Sequence, residues 1–225
     1  MRLAAVSGTR ARADGQLKLA VPRGALFERT LDLLDRIGMD TAAIRSQSRS
    51  LVFDAGDLAL VTMRPSDVPT YVEAGAADIG ITGKDVLIEQ RERVVYELLD
   101  LGYGRCRMVL AARHDDDSLT QAERRLGAMR IATKYPRAAE RYFQESGRRA
   151  EVIEVKGSVE LAPLVGLADG IVDLVDTGAT LAENDLEVRE EIATCTARLV
   201  ANRVAHKLRA AEVDELADRM RGATG

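Results

Sequence analysis

The stretch Gly170-Ile-Val-Asp-Leu-Val-Asp-Thr-Gly-Ala-Thr-Leu181 joins an apolar run to a turn of small, polar and acidic residues. The run predicts a buried strand made of Ile171, Val172, Leu174 and Val175. Residues 176–180 then bring backbone N–H groups and two hydroxyls to the point where a helix is predicted to begin. Such amides, beside a glycine that allows close approach, are typical of an anion-binding site.

Asp173 lies just before this turn and adds a carboxylate suited to a sugar hydroxyl or a magnesium ion. An anion site beside an acid indicates a phosphorylated sugar as the ligand. A structural interpretation stays open, because an aspartate also caps strand ends and Thr177-Gly178 is also typical of an ordinary helix start.

The composition indicates a soluble globular protein. The 225 residues suit one large or two small domains, with 46% apolar and 30% charged residues. A net charge of −4 argues against a general nucleic-acid binder. Cys106 and Cys195 lack metal-type spacing and predict no disulfide framework, so a reducing cytosol is the expected compartment.

The first 15 residues contain three arginines and no apolar core of the signal-peptide type. They predict a disordered extension or a displaced start site. No apolar run in the chain approaches the length of a membrane span, so no membrane partner is expected.

Strand patterns alternate with helical patterns along most of the chain. This order predicts an α/β fold of two mixed, mostly parallel lobes with a central cleft. We expect residues 16–102 and 193–225 in the first lobe and residues 103–192 in the second, which carries the turn at 176–180. Gly102-Tyr-Gly104 lies near one point where the chain is expected to cross between the lobes. The β-rich run at 187–204 is expected to return the chain to the first lobe.

Several familiar active-site motifs are absent. Lys84 follows Gly83 as in a phosphate-binding loop, but Asp85 stands where that motif needs a hydroxyl. Neither histidine, His114 or His206, lies in a catalytic motif. The chain thus offers no obvious nucleophile or general base, and any chemistry should depend on positioning and charge stabilisation.

Taken together, the ordered segments of the chain resemble ATP phosphoribosyltransferase over about residues 17–210. The segments are Val21-Pro-Arg-Gly24, Met63-Arg-Pro-Ser-Asp67, Tyr71-Val-Glu-Ala-Gly75, Ala77-Asp-Ile-Gly-Ile-Thr-Gly-Lys-Asp85, Arg130-Ile-Ala-Thr-Lys-Tyr-Pro136, Glu154-Val-Lys-Gly-Ser-Val-Glu160, Ala168-Asp-Gly-Ile-Val-Asp173 and Thr177-Gly-Ala-Thr-Leu181. Each alone is weak, but the set follows the order and spacing of the family.

This resemblance implies the first step of histidine biosynthesis. The family joins N1 of the ATP adenine to C1 of phosphoribosyl pyrophosphate, releases pyrophosphate and requires magnesium. Its two lobes are similar to those of type II periplasmic binding proteins. The resemblance is to the short form, which lacks a C-terminal regulatory domain, is cytoplasmic and assembles with a histidyl-tRNA-synthetase-like regulatory subunit, typically as a hetero-octamer.

The resemblance also implies roles for individual residues. The 5′-phosphate is assigned to Asp176, Thr177, Gly178, Ala179 and Thr180. Asp176 departs from the family pattern, so only its amide is assigned. Glu160 and Asp173 are expected to hold the ribose hydroxyls, directly or through a magnesium ion that arrives with the substrate. The candidates for the ATP and pyrophosphate subsite are Arg23, Arg36, Arg49, Arg64, Asp78, Lys84 and Tyr135. Of these, Arg23, Arg64 and Lys84 carry charge at loop positions after strand patterns, where open α/β sheets bind their ligands.

Other interpretations of these residues stay open. Glu160 is also placed to complement a helix dipole, Arg36 and Arg49 have the character of surface residues, and Asp78 and Tyr135 suit plain packing roles. For the whole chain, the main alternative is a two-lobed solute-binding protein without catalysis. A phosphoribosyltransferase acting on another base is the second alternative.

Overall fold

The computed structural model describes residues 15–46, 50–114, 117, 119, 121–122, 124 and 127–224. The predicted extension, apart from Gly15, and Arg49 lie outside the described residues. The strands form two mixed sheets, one of six strands and one of five. Helices pack on both sheets, and apolar clusters cover both faces of each sheet.

The first sheet has the strand order β2-β3-β1-β4-β11-β5. Its strands are β1 (Leu17–Pro22), β2 (Val52–Ala55), β3 (Leu58–Met63), β4 (Ile79–Gly83), β5 (Val95–Asp100) and β11 (Ala197–Asn202). Its helices are α1 (Phe27–Arg36), α2 (Ala42–Arg45), α3 (Val68–Glu73), α4 (Lys84–Glu89), α8 (Arg203–Leu208) and α9 (Ala210–Ala223), with a 3-10 turn at Pro65–Asp67.

The second sheet has the order β10-β6-β9-β7-β8. Its strands are β6 (Cys106–Arg113), β7 (Met129–Thr133), β8 (Ala150–Glu154), β9 (Gly170–Val175) and β10 (Leu186–Cys195). The associated helices are α5 (Pro136–Glu145), α6 (Leu161–Leu164) and α7 (Ala179–Glu183).

The chain passes between the sheets twice. Residues 101–105 lead from β5 to β6, and Thr196 alone separates β10 from β11. The two passages are hydrogen-bonded to each other, because Leu101 N–H donates to the Ala197 carbonyl and Ala197 N–H donates to the Tyr103 carbonyl, both at 2.9 Å. The predicted lobe boundaries at 102/103 and 192/193 stay a prediction.

The two mixed α/β lobes that the sequence predicts are confirmed. Parallel pairing joins β3-β1-β4 in the first sheet and β9-β7-β8 in the second. The strands added around these cores, β2, β5, β6, β10 and β11, pair antiparallel. The antiparallel share is larger than the alternating pattern indicated, because the chain returns through the second passage in the direction opposite to the first. This return places β10 beside β6 and β11 beside β5, both antiparallel.

Three helices differ from what the local sequence predicts. Ser66 is a residue type that caps helices, but the 3-10 turn at Pro65–Asp67 precedes α3 instead. The pattern at 158–168 predicts a helix, whereas α6 covers only four residues, because Gly166 has a φ of +73° and ends it early. The charged pattern at 207–220 predicts the terminal helix, but the helical region begins at Arg203 and is broken between α8 and α9.

Gly80 lies at the closest contact between β4 and α3. A Cβ atom at this position would lie 2.5 Å from Val68 Cγ1 and 2.9 Å from Val72 Cγ2, with the Ala20 Cβ at 3.2 Å behind them. All three neighbours are fully buried. The glycine therefore sets the distance between the helix and the sheet at the centre of the first lobe.

We expect Gly80→Ala to destabilise the protein by about 1–3 kcal/mol, because the added methyl forces β4 and α3 apart in a packed core. Urea unfolding followed by circular dichroism measures the change. Gly222→Ala is the matched control, since no atom lies within 4 Å of the added methyl on α9. That change should be neutral or stabilising by up to about 1 kcal/mol. Equal midpoints for the two variants would contradict the packing argument.

Candidate active site

A cleft with a volume of 940 Å³ lies between the two sheets. This volume is at the upper end of the range of about 300–1,000 Å³ that is typical of small-molecule sites. Its wall is shared between the lobes: Arg64, Ser66 and Asp85 come from the first, and Lys134 and Asp176 come from the second. The cleft lies where β1, β3, β4, β7 and β9 end, which is where open α/β sheets bind their ligands.

The turn after β9 has the geometry of an anion-binding loop. Gly178 has a φ of +87° and is the residue before α7. Within the described part of the chain, no protein acceptor pairs with the N–H groups of Asp176, Thr177 or Gly178. Ala179 N–H has only a long contact of 3.4 Å to Thr177 Oγ1. The predicted loop residues 176–180 therefore lie together, with several amide donors unpaired.

Asp173 and Glu160 lie close enough for their charges to interact. Burial raises the pKa of Asp173, and the neighbouring Glu160 carboxylate raises it further, whereas Lys134 opposes the rise. One carboxylate oxygen of Asp173 accepts the Leu174 N–H at 2.8 Å. Glu160 is the residue before α6. The structure thus brings these two predicted acids together on the second lobe.

The predicted basic residues divide into two groups. Arg64 is exposed and lines the cleft. Arg23 follows β1 at the same edge of the sheet, and its guanidinium donates to Thr62 Oγ1 at 2.9 Å. Lys84 instead bonds Glu97 on β5, with its ammonium 2.7 Å from the carboxylate. Arg36 lies at the end of α1 and contacts the Asp32 carbonyl at 3.4 Å, so neither Lys84 nor Arg36 lines the cleft.

The assignment of Asp78 to the nucleotide wall needs correction. Asp78 precedes β4, and its carboxylate accepts the Lys18 N–H at 2.8 Å at the beginning of β1. The Arg209 guanidinium lies 4.0 Å from the same oxygen. Because β1 and β4 are parallel, both residues lie at the amino-terminal edge of the sheet, opposite the edge that faces the cleft. Asp78 ties α9 to the sheet rather than facing a ligand.

Tyr135 lines the cleft and joins the two lobes. Its side chain is buried, and its hydroxyl donates to a carboxylate oxygen of Asp85 on α4 at 3.3 Å. Burial raises the pKa of both groups. A second contact lies nearby: Glu89 of α4 accepts the N–H groups of Arg137 and Ala138 at the start of α5, at 3.1 and 2.9 Å. These bonds connect α4 of the first lobe with α5 of the second.

Sequence reasoning missed five charged residues of the cleft. They are Arg29, Asp85, Glu89, Arg105 and Lys134. A signal for Lys134 was present, because Arg130-Ile-Ala-Thr133 has the pattern of a strand and Lys134 directly follows it. The charge of Lys134 acts on both Asp85 and Asp173, so this residue lies near the acids of both lobes. Asp85 follows the excluded phosphate-loop motif and gave no separate signal.

The acids of the second lobe fit a magnesium ion that keeps most of its ligands from a substrate. No group of three or more metal-ligating side chains occurs among the described residues. Glu160 and Asp173, however, are hard oxygen donors whose mutual repulsion a cation relieves. Magnesium characteristically binds through one or two carboxylates together with substrate phosphates.

None of the helices in the described ranges has the length and apolar character that a bilayer crossing needs.

The stability of the wild-type protein relative to Asp85→Asn should depend on pH. Burial raises the pKa of Asp85 above its ordinary value of 3.8, so the folded chain keeps a proton that the unfolded chain has lost. Stability from this group therefore falls as pH rises between the two values. We expect the unfolding free energy of Asp85→Asn, relative to wild type, to increase as pH rises above about 4.

Asp100→Asn is the control, because the pH dependence of its unfolding free energy relative to wild type should have the opposite sign. Partial burial raises the pKa of Asp100, but hydrogen bonds from Thr196 and Gly102 and the charge of Arg198 outweigh it, and the pKa is lowered overall. This group contributes stability that is present above the ordinary pKa and is lost as pH falls. Its variant should therefore lose stability relative to wild type as pH rises towards about 4, and the difference should stay level at higher pH. Parallel trends for the two variants would contradict these environments.

Comparison with known proteins identifies the family. The family model HisG, described as ATP phosphoribosyltransferase, matches residues 64–222. An ATP phosphoribosyltransferase of Rubrobacter xylanophilus is 56% identical over 200 residues, covering 88% of this chain and 91% of the relative. The structure of the ATP phosphoribosyl transferase (HisG:HisZ) complex from Thermotoga maritima matches with a TM-score of 0.78 and 35% identity, covering 93% of this chain and 98% of the other.

A more distant similarity concerns the fold alone. The periplasmic aliphatic sulphonate binding protein SsuA from Escherichia coli matches with a TM-score of 0.60 at 12% identity, covering 93% of this chain and 72% of the other. The predicted similarity to periplasmic-binding-protein lobes is confirmed. The substantial sequence identity lies with phosphoribosyltransferases, which favours the enzyme over a solute-binding protein. The chain belongs to the HisG family, ATP phosphoribosyltransferase, the first step of histidine biosynthesis.

Proposed function

We propose that the cleft between the sheets is where this enzyme joins N1 of the ATP adenine to C1 of phosphoribosyl pyrophosphate. The observation that carries the proposal is the turn at 176–178, whose three unpaired amides lie beside the partly buried acid Asp173. Basic side chains such as Arg64 face this turn from the other lobe. The pattern suits a ligand with a phosphate at one end, a sugar in the middle and further phosphates across the cleft.

The loop at 176–180 binds the 5′-phosphate in this proposal. The amides of Asp176, Thr177 and Gly178 donate to the phosphate oxygens, and the hydroxyls of Thr177 and Thr180 add donors. The carboxylate of Asp176 takes no part. Gly178 allows the backbone to approach closely because its positive φ is readily adopted only by glycine.

The second-lobe acids Asp173 and Glu160 hold the ribose hydroxyls. Cleavage of the C1–pyrophosphate bond gives a transition state with oxocarbenium character, and nearby carboxylates stabilise its positive charge. The adenine N1 is the nucleophile, so the enzyme needs none of its own. Its contribution is to align the adenine with C1 and to keep water out of the cleft.

Magnesium completes the proposed site. When bound, the ion offsets the negative charge of the departing pyrophosphate. Asp173 and Glu160 are its candidate protein ligands, with the substrate oxygens supplying the rest. Loss of the reaction in the presence of a chelator, with recovery on adding magnesium, would support this assignment.

The first lobe supplies the positive charge for ATP and pyrophosphate. Arg64 and Arg23 are the strongest of the original candidates, since both lie at the cleft edge of the sheet. Lys134 joins them from the second lobe, and Tyr135 forms part of the nucleotide wall. Lys84 can bind these phosphates only if its ion pair with Glu97 breaks. Arg36 can bind them only if ATP extends beyond the cleft. Arg49 lies outside the described residues and stays a candidate.

The wider setting follows from the family. We propose a cytoplasmic catalytic chain of the short form, with the lobes divided at 102/103 and 192/193. The related Thermotoga maritima protein is described as a HisG:HisZ complex. By analogy, this chain assembles with a histidyl-tRNA-synthetase-like regulatory subunit as a hetero-octamer.

One assay tests the proposed function. ATP, phosphoribosyl pyrophosphate, magnesium and pyrophosphatase are mixed with the chain, with and without the regulatory subunit. The N1-substituted adenosine product is then followed by its absorbance. Product formation supports the proposal. If neither mixture forms product while calorimetry detects binding of a small solute, the solute-binding alternative replaces it.

Asp173→Asn should lower turnover by at least about 10-fold, because the neutral amide loses the interaction with the cationic transition state. Steady-state kinetics measures the loss, and circular dichroism checks that the fold is intact. Asp185→Asn is the control, since Asp185 is a carboxylate of the same lobe that does not line the cleft. An unchanged rate for Asp173→Asn would remove that residue from the site.

Thr180→Val should weaken binding of phosphoribosyl pyrophosphate more than that of ATP, because valine lacks the hydroxyl that meets the 5′-phosphate. Isothermal titration with each substrate gives the two dissociation constants. Thr70→Val on the exposed side of α3 is the control and should change neither constant. If ATP binding weakens more, the two subsites have been assigned the wrong way round.

A further inference from the structure

Cys106 and Cys195 lie opposite each other at the edge of the second sheet. They form the last register pair of the antiparallel strands β6 and β10. Opposed residues of such strands have Cα atoms about 4.5–5.5 Å apart, which is within the span of about 4.4–6.8 Å that a disulfide bridges. Both cysteines are free thiols. A disulfide thus requires no rearrangement of the sheet.

The position of the pair is distinctive. Cys106 directly follows the passage at 101–105, and Cys195 directly precedes Thr196 in the second passage. Both line the cleft. Cys106 is partly exposed, whereas only 1% of Cys195 is accessible. Small molecules that enter the cleft therefore reach Cys106 more easily than they reach its partner.

The two thiols are chemically unequal. The neighbouring Cys195 thiol lowers the pKa of Cys106, although burial and the nearby carboxylates of Asp85 and Asp176 oppose this. The Cys106 sulfur and burial raise the pKa of Cys195. An accessible thiol that ionises more readily, beside a buried one that does not, is typical of a reactive cysteine with its resolving partner.

We propose that Cys106 and Cys195 form a redox modification site, in which a hydroperoxide that enters the cleft converts the two thiols to an intramolecular disulfide. The Cys106 thiolate attacks the peroxide, the O–O bond breaks, and Cys106 becomes a sulfenic acid while an alcohol or water leaves. The Cys195 sulfur then attacks the Cys106 sulfur, and the S–O bond breaks with loss of water. The two thiols lose two electrons and two protons in total.

The disulfide has a defined structural consequence. It covalently joins the two strands at the point where both passages leave the second sheet, and it removes both thiol groups from the cleft surface. Reduction by a dithiol reverses it, because the attacking thiolate reaches Cys106 through the cleft. The oxidation of the two cysteines does not depend on any step of the phosphoribosyl transfer. The failure of either proposal therefore leaves the other intact.

The experiment treats the full chain with hydrogen peroxide under non-denaturing conditions and follows free thiols, intact mass and electrophoretic mobility. We expect the monomer to lose both thiols and the mass of two hydrogens, and dithiothreitol to restore them. In Cys195→Ser, a 1,3-diketone probe should trap the sulfenic acid on Cys106. In Cys106→Ser, the reaction with peroxide should slow by at least about 10-fold, since the buried thiol is both protonated and shielded.

Three outcomes would overturn the proposal. They are persistence of both thiols in the wild type, equal peroxide reactivity of the two single variants, and a disulfide found only between chains. If a serine variant fails to fold, Cys195→Ala and Cys106→Ala replace it, because alanine leaves no unpaired polar atom in the sheet.

Discussion

The hydrogen bonds between the two passages are the constraint on which the rest of the molecule depends. Leu101 and Tyr103 bond the backbone of Ala197, and the Thr196 carbonyl accepts the Lys84 N–H at the start of α4. Thr196 also donates its hydroxyl to Asp100 at 2.7 Å. The two sheets thus meet along a short antiparallel contact, and the cleft is the space that the sheets leave beside it.

This contact also explains the charge distribution of the cleft. The parallel cores of both sheets present their carboxyl-terminal ends to the same space, so the turns after β1, β3, β4, β7 and β9 converge there. Acids lie on the second lobe at Asp173 and on α4 at Asp85, where burial raises the pKa of each. The charge of Lys134 acts on both carboxyls and lowers the pKa of each. A site of this kind suits a reaction that depends on charge stabilisation rather than on a protein nucleophile.

Much of the fold and part of the site could be predicted from local patterns. Strand β9, the turn after it and the positive φ of Gly178 follow from residue types within one short segment. Arg23 and Arg64 could be predicted because each lies in a loop after a strand pattern. The antiparallel strands β2 and β5 were missed, because half-exposed strands have no continuous apolar run.

By itself, the sequence determined the alternation of strands and helices in the parallel cores, the phosphate-type loop beside Asp173 and the family. These depend on residues that are neighbours along the chain. Only the tertiary structure decided that Asp78 lies at the far edge of its sheet, that Lys84 bonds Glu97, and that Cys106 opposes Cys195. The physical reason is that strand direction and register bring together residues far apart in the chain, and these contacts decide which side chains face the cleft.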